Sequence, residues 1–238
     1  MNKHSLNRFI DKYYLGGNCS SVVLKSDGTN LSTRFITGDK NLLGELTMSD
    51  WKFDKAELGV YNTEQLVKLL SVMSDNISMN LTKAGDKVVS LKVSDSASSV
   101  NYMLSDLSVI GQVPNMKSVP DFEVKIKVDK SFMNKFVAGK GALADTDNFT
   151  VLTNEDGVKI VIGYAEINTN RVTLPVETET YDVIDNVSFN ANLFRDVLVA
   201  NKECESAKLE VSSQGLARIK FKIDEYDATY YLVAETDV

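Results

Sequence analysis

Few side chains in this sequence are able to act as nucleophiles, general bases or metal ligands. The chain has one histidine, His4, so neither a Ser-His-Asp triad nor a histidine-rich metal site can be built. Two cysteines, Cys19 and Cys204, lie far apart in sequence and form no C-x-x-C motif. The N-terminus lacks the apolar core of an export signal, so we expect two free thiols, with one disulfide as the alternative.

Paired carboxylates are the second possible source of chemistry. Glu177 and Glu179, or the cluster Asp224, Glu225 and Asp227, could bind a cation or serve as acid and base. In acidic strands and turns of an acidic protein, however, a solvated surface is the favoured interpretation. The sequence also lacks a phosphate-binding glycine loop, a G-x-G-x-x-G motif and H-E-x-x-H. We therefore predict no enzymatic activity, no cofactor and no metal site.

Composition indicates a globular protein that buries a substantial core. The chain has 238 residues, of which 43% are hydrophobic and 25% charged. It carries 26 basic and 33 acidic side chains, a net charge of −7, so it has no general basic coat for holding nucleic acid. Since no stretch approaches the roughly 20 apolar residues of a membrane span, we expect a cytoplasmic protein that does not associate with membranes.

Four segments show helical periodicity. In the first, residues 2–15, the apolar side chains recur at spacings of three and four, and Gly16 and Gly17 are predicted to end the helix. The second and fourth are predicted to begin at the capping residues Asn62 and Asn190, and the third is predicted to begin at Asp129. Between the helices lie short runs with alternating apolar residues, bounded by turn dipeptides, which predict antiparallel strands.

An internal repeat determines the predicted fold. The hairpin signal Asp27-Gly28 returns as Asp156-Gly157, and the cap Asn62 returns 128 residues later as Asn190. Each half reads as helix, hairpin strands, helix and a meander of three strands. We predict an α+β protein with two tandem domains, residues 1–106 and 121–238, joined by a connector at 107–120 that contains two of the three prolines.

Basic residues are concentrated on the predicted helices. The four helical windows carry nine basic and six acidic residues, a net +3, and the remainder of the chain carries −10. A lysine-rich face on any single helix is commonly just solvated surface. If the four faces lie side by side, they form a mildly positive surface suited to weak contact with phosphates and unable to read bases.

This arrangement resembles a DNA sliding clamp. Two repeats in 238 residues are similar to the trimeric clamps, whereas bacterial clamps carry three repeats per chain. Residues 53–81 and 227–237 resemble the T-even-type bacteriophage family residue by residue. The resemblance implies the duplicated clamp fold, with two helices packed on antiparallel sheets in each domain. It also implies a closed homotrimeric ring whose helices line the hole.

The resemblance further implies partners and sites. The partners are double-stranded DNA, the replicative DNA polymerase, an ATP-dependent clamp loader and, in phages, the late-transcription machinery in the host cytoplasm. The residues expected to face DNA are His4, Arg8, Lys12, Lys68, Lys135, Lys140, Arg195 and Lys202. The residues expected to receive the hydrophobic tail of a partner are Leu107, Val109, Ile110, Val113 and Met116, with simple packing of the connector as the alternative for this set.

Two other functions remain open from the sequence. The first is a β-rich structural or assembly protein with a duplicated domain and no role on DNA. The second is a monomeric processivity factor of the same fold, which would bind DNA without a loader and with a clear salt dependence.

Overall fold

The computed structural model describes residues 2–116, 118–167 and 169–235, so the last two residues of the stretch 227–237 lie outside it. The described residues form four α-helices and sixteen β-strands. They group into two compact units. The first comprises Met1–Phe35 and Glu45–Pro114, and the second comprises Ile36–Gly44 and Asn115–Val238.

The first unit contains two helices and most of the first seven strands. The helices are α1 (Lys3–Tyr14) and α2 (Thr63–Ser71), which pack against each other. The strands are β1 (Val22–Ser26), β2 (Leu31–Ile36), β3 (Leu42–Met48), β4 (Ala56–Val60), β5 (Ser78–Ala84), β6 (Lys87–Ser94) and β7 (Ser99–Met103). Hydrogen-bonded neighbours follow the orders β4-β1-β2-β3 and β5-β6-β7.

The second unit contains the other two helices and nine strands. The helices are α3 (Lys130–Ala142) and α4 (Ala191–Ala200), which also pack as a pair. The strands are β8 (Val124–Asp129), β9 (Asn148–Asn154), β10 (Gly157–Ile162), β11 (Val172–Pro175), β12 (Thr178–Tyr181), β13 (Val187–Asn190), β14 (Ser206–Ser212), β15 (Leu216–Ile223) and β16 (Tyr226–Val233). Hydrogen-bonded neighbours follow the orders β12-β8-β14-β15-β16 and β11-β10-β9-β13.

Each helix begins at a side-chain cap, as the sequence predicts for the last three. The side chains of Asn62, Asp129 and Asn190 accept hydrogen bonds from backbone N–H groups of the first helical turn at 2.9, 2.7 and 2.9 Å. Asn2 does the same for α1, accepting from the backbone N–H of His4 at 2.8 Å. These bonds satisfy donors that have no partner inside the helix and so fix where each helix starts.

Helix α1 ends where the paired glycines predict. Its last residue, Tyr14, is followed by Leu15 with φ of 46° and Gly16 with φ of 64°. The left-handed conformation reverses the chain, and glycine adopts it without a steric penalty. The chain then enters β1 from a short 3₁₀ turn at Leu15–Gly17.

Both units bury an aromatic core beneath their helix pair. In the first unit Phe9 and Tyr13 are fully buried, and the Tyr13 hydroxyl lies 3.3 Å from the hydroxyl of Thr63 at the start of α2. Burial raises the pKa of Tyr13, so it remains neutral at physiological pH. In the second unit the ring of Phe136 meets Phe149 and Phe194 edge-on, with centroids 5.3 and 4.9 Å apart.

The predicted repeat is visible in the elements. Each half contains a helix, a set of strands that opens with a hairpin, a second helix and a meander of three antiparallel strands. The equivalent tyrosines of the two meanders differ in their contacts. The Tyr102 hydroxyl donates to the carbonyl of Asn62 at the start of α2, at 3.0 Å, whereas the Tyr230 hydroxyl accepts from Asn201 just after α4.

Both cysteines are buried as thiols and are not joined in a disulfide, which confirms the prediction of thiols over a disulfide. Among the described residues, no cluster of three or more histidine, cysteine, aspartate or glutamate side chains is placed to hold a metal ion. None of the helices in that part of the chain is both long and apolar enough to cross a membrane.

Gly59 in β4 has no space for a side chain. A Cβ atom built at this position would lie 2.3 Å from the carbonyl oxygen of Ser105, whose backbone N–H donates to the Gly59 carbonyl at 2.9 Å. We expect Gly59→Ala to lower the free energy of unfolding by about 2–4 kcal/mol, because backbone rather than a flexible side chain must move. Urea denaturation measures the change.

The control is Gly141→Ala in α3, where a built Cβ meets nothing within 4 Å. This change should leave stability unchanged or raise it by up to about 1 kcal/mol, since alanine is the better helix former. If Gly59→Ala and Gly141→Ala were equally stable, the segment that starts at Ser105 would not be packed against β4.

Candidate nucleic-acid interface and connector

The first helix of each unit presents one basic side chain at an equivalent position. Arg8 in α1 and Lys135 in α3 are 127 residues apart, as are their fully buried neighbours Phe9 and Phe136. Lys135 is exposed and Arg8 is half-buried. His4 is exposed in the first turn of α1. These three lie on the solvent side of their helices, where the sequence predicts them.

Lys12 and Lys140 are wrongly predicted as DNA-facing residues. They lie 128 residues apart, each in the last turn of its helix, and are only 0% and 1% exposed. The Lys140 ammonium donates to the carbonyls of Leu143 and Ala144, at 3.3 and 2.8 Å, and so satisfies two acceptors just beyond the end of α3. A helical projection misplaces such residues because the aliphatic stem of lysine can run along apolar neighbours into the interior.

The second helix of each unit carries basic side chains that are partly neutralised. Lys68 in α2 is exposed and pairs with Glu64 one turn earlier at 2.5 Å, and this hydrogen bond raises the pKa of Lys68. Arg195 in α4 pairs with Asp196 at 2.8 Å. Lys202, just after α4, is exposed. Both ion pairs are solvent-accessible, so a phosphate can compete for each cation.

Six of the eight predicted residues therefore lie at the surface, in two groups. His4, Arg8 and Lys68 belong to the helix pair of the first unit, and Lys135, Arg195 and Lys202 to that of the second. When the buried Lys12 and Lys140 are left out, the excess of basic over acidic residues in the helical windows falls from three to one. Each helix pair offers a few dispersed cations, which suits weak phosphate contact.

The connector begins as a capped turn. Leu107–Val109 form a 3₁₀ turn, and the Asp106 carboxylate accepts from the backbone N–H of Ser108 at 3.0 Å. Lys87 in β6 donates to Asp106 at 2.9 Å. The Lys87 and Ser108 hydrogen bonds hold the pKa of Asp106 well below its usual range.

The middle of the connector is also tied to the first unit. The Arg34 guanidinium in β2 donates to the carbonyl of Pro114 at 3.0 Å and pairs with Glu45 in β3 at 3.0 Å. These ties were not predicted from the sequence. The cap at Asp106 has a local signal, because Asp two residues before Ser is typical of such turns. The contact of Arg34 joins residues 80 apart and has no local signal.

The apolar residues predicted to bind partners divide into two kinds. Leu107 and Val109 are exposed, at 39% and 59%, and Val113 and Met116 are half-buried. Ile110 is only 5% exposed and packs over Gly59, so the prediction that it contacts a partner is wrong and the packing alternative holds for it. It fixes the connector in place while Leu107 and Val109 remain accessible.

Solved structures with the same fold include a proliferating cellular nuclear antigen from Entamoeba histolytica. That protein is 15% identical to this chain, and the alignment covers 99% of this chain and 97% of the other, with a TM-score of 0.74. No protein-family model and no curated protein matches the sequence.

The likeness confirms the predicted fold class, a duplicated sliding-clamp fold with helices packed on antiparallel sheets over essentially the whole chain. At 15% identity it concerns the fold alone.

Proposed function

We propose that this protein is a DNA sliding clamp, a ring that encircles duplex DNA and tethers the replicative DNA polymerase for processive synthesis. The observation that carries the proposal is the likeness to the antigen from Entamoeba histolytica over 99% of the chain. The clamp fold places two helix pairs in each chain, and those pairs carry the dispersed basic residues described above. A ring that acts through this fold and these basic residues needs no catalytic group.

Closing a ring supplies hydrogen-bond partners for sheet edges that a single chain leaves unpaired. Strand β5 ends the three-stranded sheet of the first unit, and β11 ends the four-stranded sheet of the second. Exposed edges of this kind invite pairing with other chains, and in a closed ring β5 of one subunit can pair with β11 of the next without forming a filament. We propose three subunits per ring, which gives six domains around the hole.

Contact with DNA is weak and independent of sequence in this proposal. The contacting residues are His4, Arg8, Lys68, Lys135, Arg195 and Lys202, all at the surface of the helices or at their ends. Single cations that touch phosphates position a duplex without reading bases. Because each contact is weak, the ring can move along the duplex, and retention comes from topology instead of affinity.

Polymerase attachment is assigned to the connector. Leu107 and Val109 form an exposed apolar pair on a turn that is held in place by Ile110 and Asp106. Half-buried Val113 lies four residues after Val109 in the same unit, and half-buried Met116, in the second unit, is a further candidate contact. A hydrophobic partner segment that covers such a rigid turn loses little ordering entropy on binding.

We base the assignment to the T-even phage type of clamp on residues 53–81, which resemble that family. A clamp of that type is opened by an ATP-driven loader, acts in the cytoplasm of the host cell and also supports late transcription. These roles are part of the proposal.

The oligomeric state provides the first test. We expect light scattering of the purified chain at micromolar concentration to give about three times the monomer mass of 26.3 kDa, because three copies close the ring. The mass should fall toward that of a monomer on dilution. A monomer at every concentration would exclude the ring and favour a monomeric processivity factor.

A further inference from the structure

The second unit carries a lysine-rich groove that lies outside the residues assigned above, apart from Lys135. It has a volume of about 960 Å³ and is bounded by the start of α3, the segment 173–179 and the ends of four strands. Five lysines line it: Lys127, Lys135, Lys208, Lys220 and Lys222. This concentration is unexpected in a half of the chain where acidic residues outnumber basic ones by 21 to 13.

Three of the lysines form a row across adjacent strands. Lys208 in β14 lies directly opposite Lys127 in β8 on one side and Lys220 in β15 on the other. Directly opposite side chains are about 5 Å apart, and like charges in such positions destabilise a sheet. The neighbouring row avoids this cost, since it places Glu210 opposite Arg218, with which it pairs at 2.6 Å. The lysine row therefore needs anions to balance it.

The chain supplies anions for part of the row only. Glu177 pairs with Lys127, and Glu179 pairs with Lys208. Within the described parts of the chain, Lys135, Lys220 and Lys222 have no carboxylate within 4.0 Å, although Asp227 lies opposite Lys222 in the strand register. All three ammonium groups belong to exposed residues.

The segment that carries Glu177 and Glu179 indicates which kind of ligand fits. It runs antiparallel to β8 with a shift in register at Glu179, and the carboxylates of Glu177 and Glu179 both pair with the lysine row. Lys220 and Lys222 alternate along β15, and both are exposed. A second extended segment with carboxylates at every other position would match their spacing.

The groove also offers non-polar surface beside its cations. Phe132 and Leu174 contribute largely buried side chains, and Val176 is half-buried. Such a surface can anchor an apolar side chain that lies between the carboxylates of a peptide.

The distribution of charge along the groove favours a peptide over nucleic acid as its ligand. Four carboxylates are interspersed among the five lysines of the lining: Asp129, Glu177, Glu179 and Asp227. A phosphate backbone presents closely spaced negative charge and would bring phosphates against these carboxylates. A peptide has separate charges and can direct each one to a lysine.

We propose that this groove binds an extended acidic peptide segment of a partner protein, in which carboxylates that reach Lys220 and Lys222 flank an apolar side chain. The surface is distinct from the connector, and it borders β11, whose edge is assigned above to ring closure, so the oligomeric mass is measured alongside binding.

The test uses the full-length protein and a fluorescein-labelled octapeptide with glutamate at alternate positions and leucine or valine between them. Fluorescence anisotropy at low salt should show binding that weakens at least about tenfold in Lys220→Glu/Lys222→Glu and as salt is raised. The matched control is Lys92→Glu/Lys159→Glu, which makes the same charge change at exposed strand lysines and should bind as the wild type does.

Five outcomes would overturn the proposal. The first three are the absence of binding by the wild type, equal binding of a peptide with glutamine in place of glutamate, and equal loss in the control variant. The fourth is displacement of the peptide by a duplex oligonucleotide with the same dependence on Lys220 and Lys222. A change in the oligomeric mass of Lys220→Glu/Lys222→Glu would also contradict it, because a second copy of this chain would then be the occupant.

Discussion

Replacing Lys68, Lys135 and Lys202 together by glutamate should slow loading of the protein onto circular duplex DNA by about 100-fold at physiological salt, because the duplex must enter the ring past these side chains. Each residue is exposed, so the changes act on the surface and leave the core unaltered. In a ring of three subunits the variant removes nine cations from the lining and replaces them with anions. Duplex affinity falls steeply as cations that neutralise phosphates are removed, and repulsion inside the hole weakens binding further. Gel filtration of samples taken at early times during loading by the cognate clamp loader onto nicked plasmid measures this rate.

The matched control changes three exposed lysines that lie outside the helices, Lys52, Lys92 and Lys159, to glutamate. Its net charge shifts by the same amount, so a general effect of acidity would appear in both variants. We expect the control to load as the wild type does. Equal loss in both variants would contradict the assignment of the helices to DNA, and wild-type loading of both would favour a structural protein with no DNA role.

Replacing Leu107 and Val109 by aspartate should weaken capture of the cognate replicative DNA polymerase by at least about 30-fold. Exposed apolar residues on a rigid turn are the kind of side chain whose loss costs about 2 kcal/mol or more at an interface, and a buried charge adds a desolvation penalty. Ring formation and loading should be unaffected, since both side chains already face solvent. Surface plasmon resonance with immobilised clamp measures the change.

Two control variants distinguish loss of polymerase attachment from a general effect of added charge and from loss of stability. Ile167 and Val183 are exposed at 75% and 63%, and their replacement by aspartate should leave polymerase capture unchanged. Ile110→Ala should instead lower the thermal midpoint, because Ile110 is buried over Gly59. Full polymerase capture by Leu107→Asp/Val109→Asp would show that the connector is not the attachment site.

Local signals made the helices and their starts predictable. Asn62, Asp129 and Asn190 cap their helices because a short polar side chain reaches the backbone two or three residues later, and this requires no tertiary contact. The repeat was predictable for a similar reason, since hairpin turns and caps recur at nearly constant spacing.

Burial of polar and connector residues was not predictable from periodicity. Lys12 and Lys140 lie at the edge of an apolar stripe, where the path of a long side chain depends on what covers the end of the helix. Ile110 is buried because Gly59, about fifty residues earlier, leaves space for it. The lysine row on β8, β14 and β15 depends on strand register, which couples residues up to 93 positions apart.

The proposed encirclement of DNA can be measured directly. The measurement loads the protein with the cognate clamp loader and ATP onto nicked circular duplex, washes the complex with about 0.5 M NaCl to screen exposed charges, and then cuts the circle once. We predict that the protein stays on the circle through the wash and leaves after the single cut, because only topology then holds it. Loss during the wash to the same extent from circular and linear DNA, or retention after the cut, would contradict encirclement.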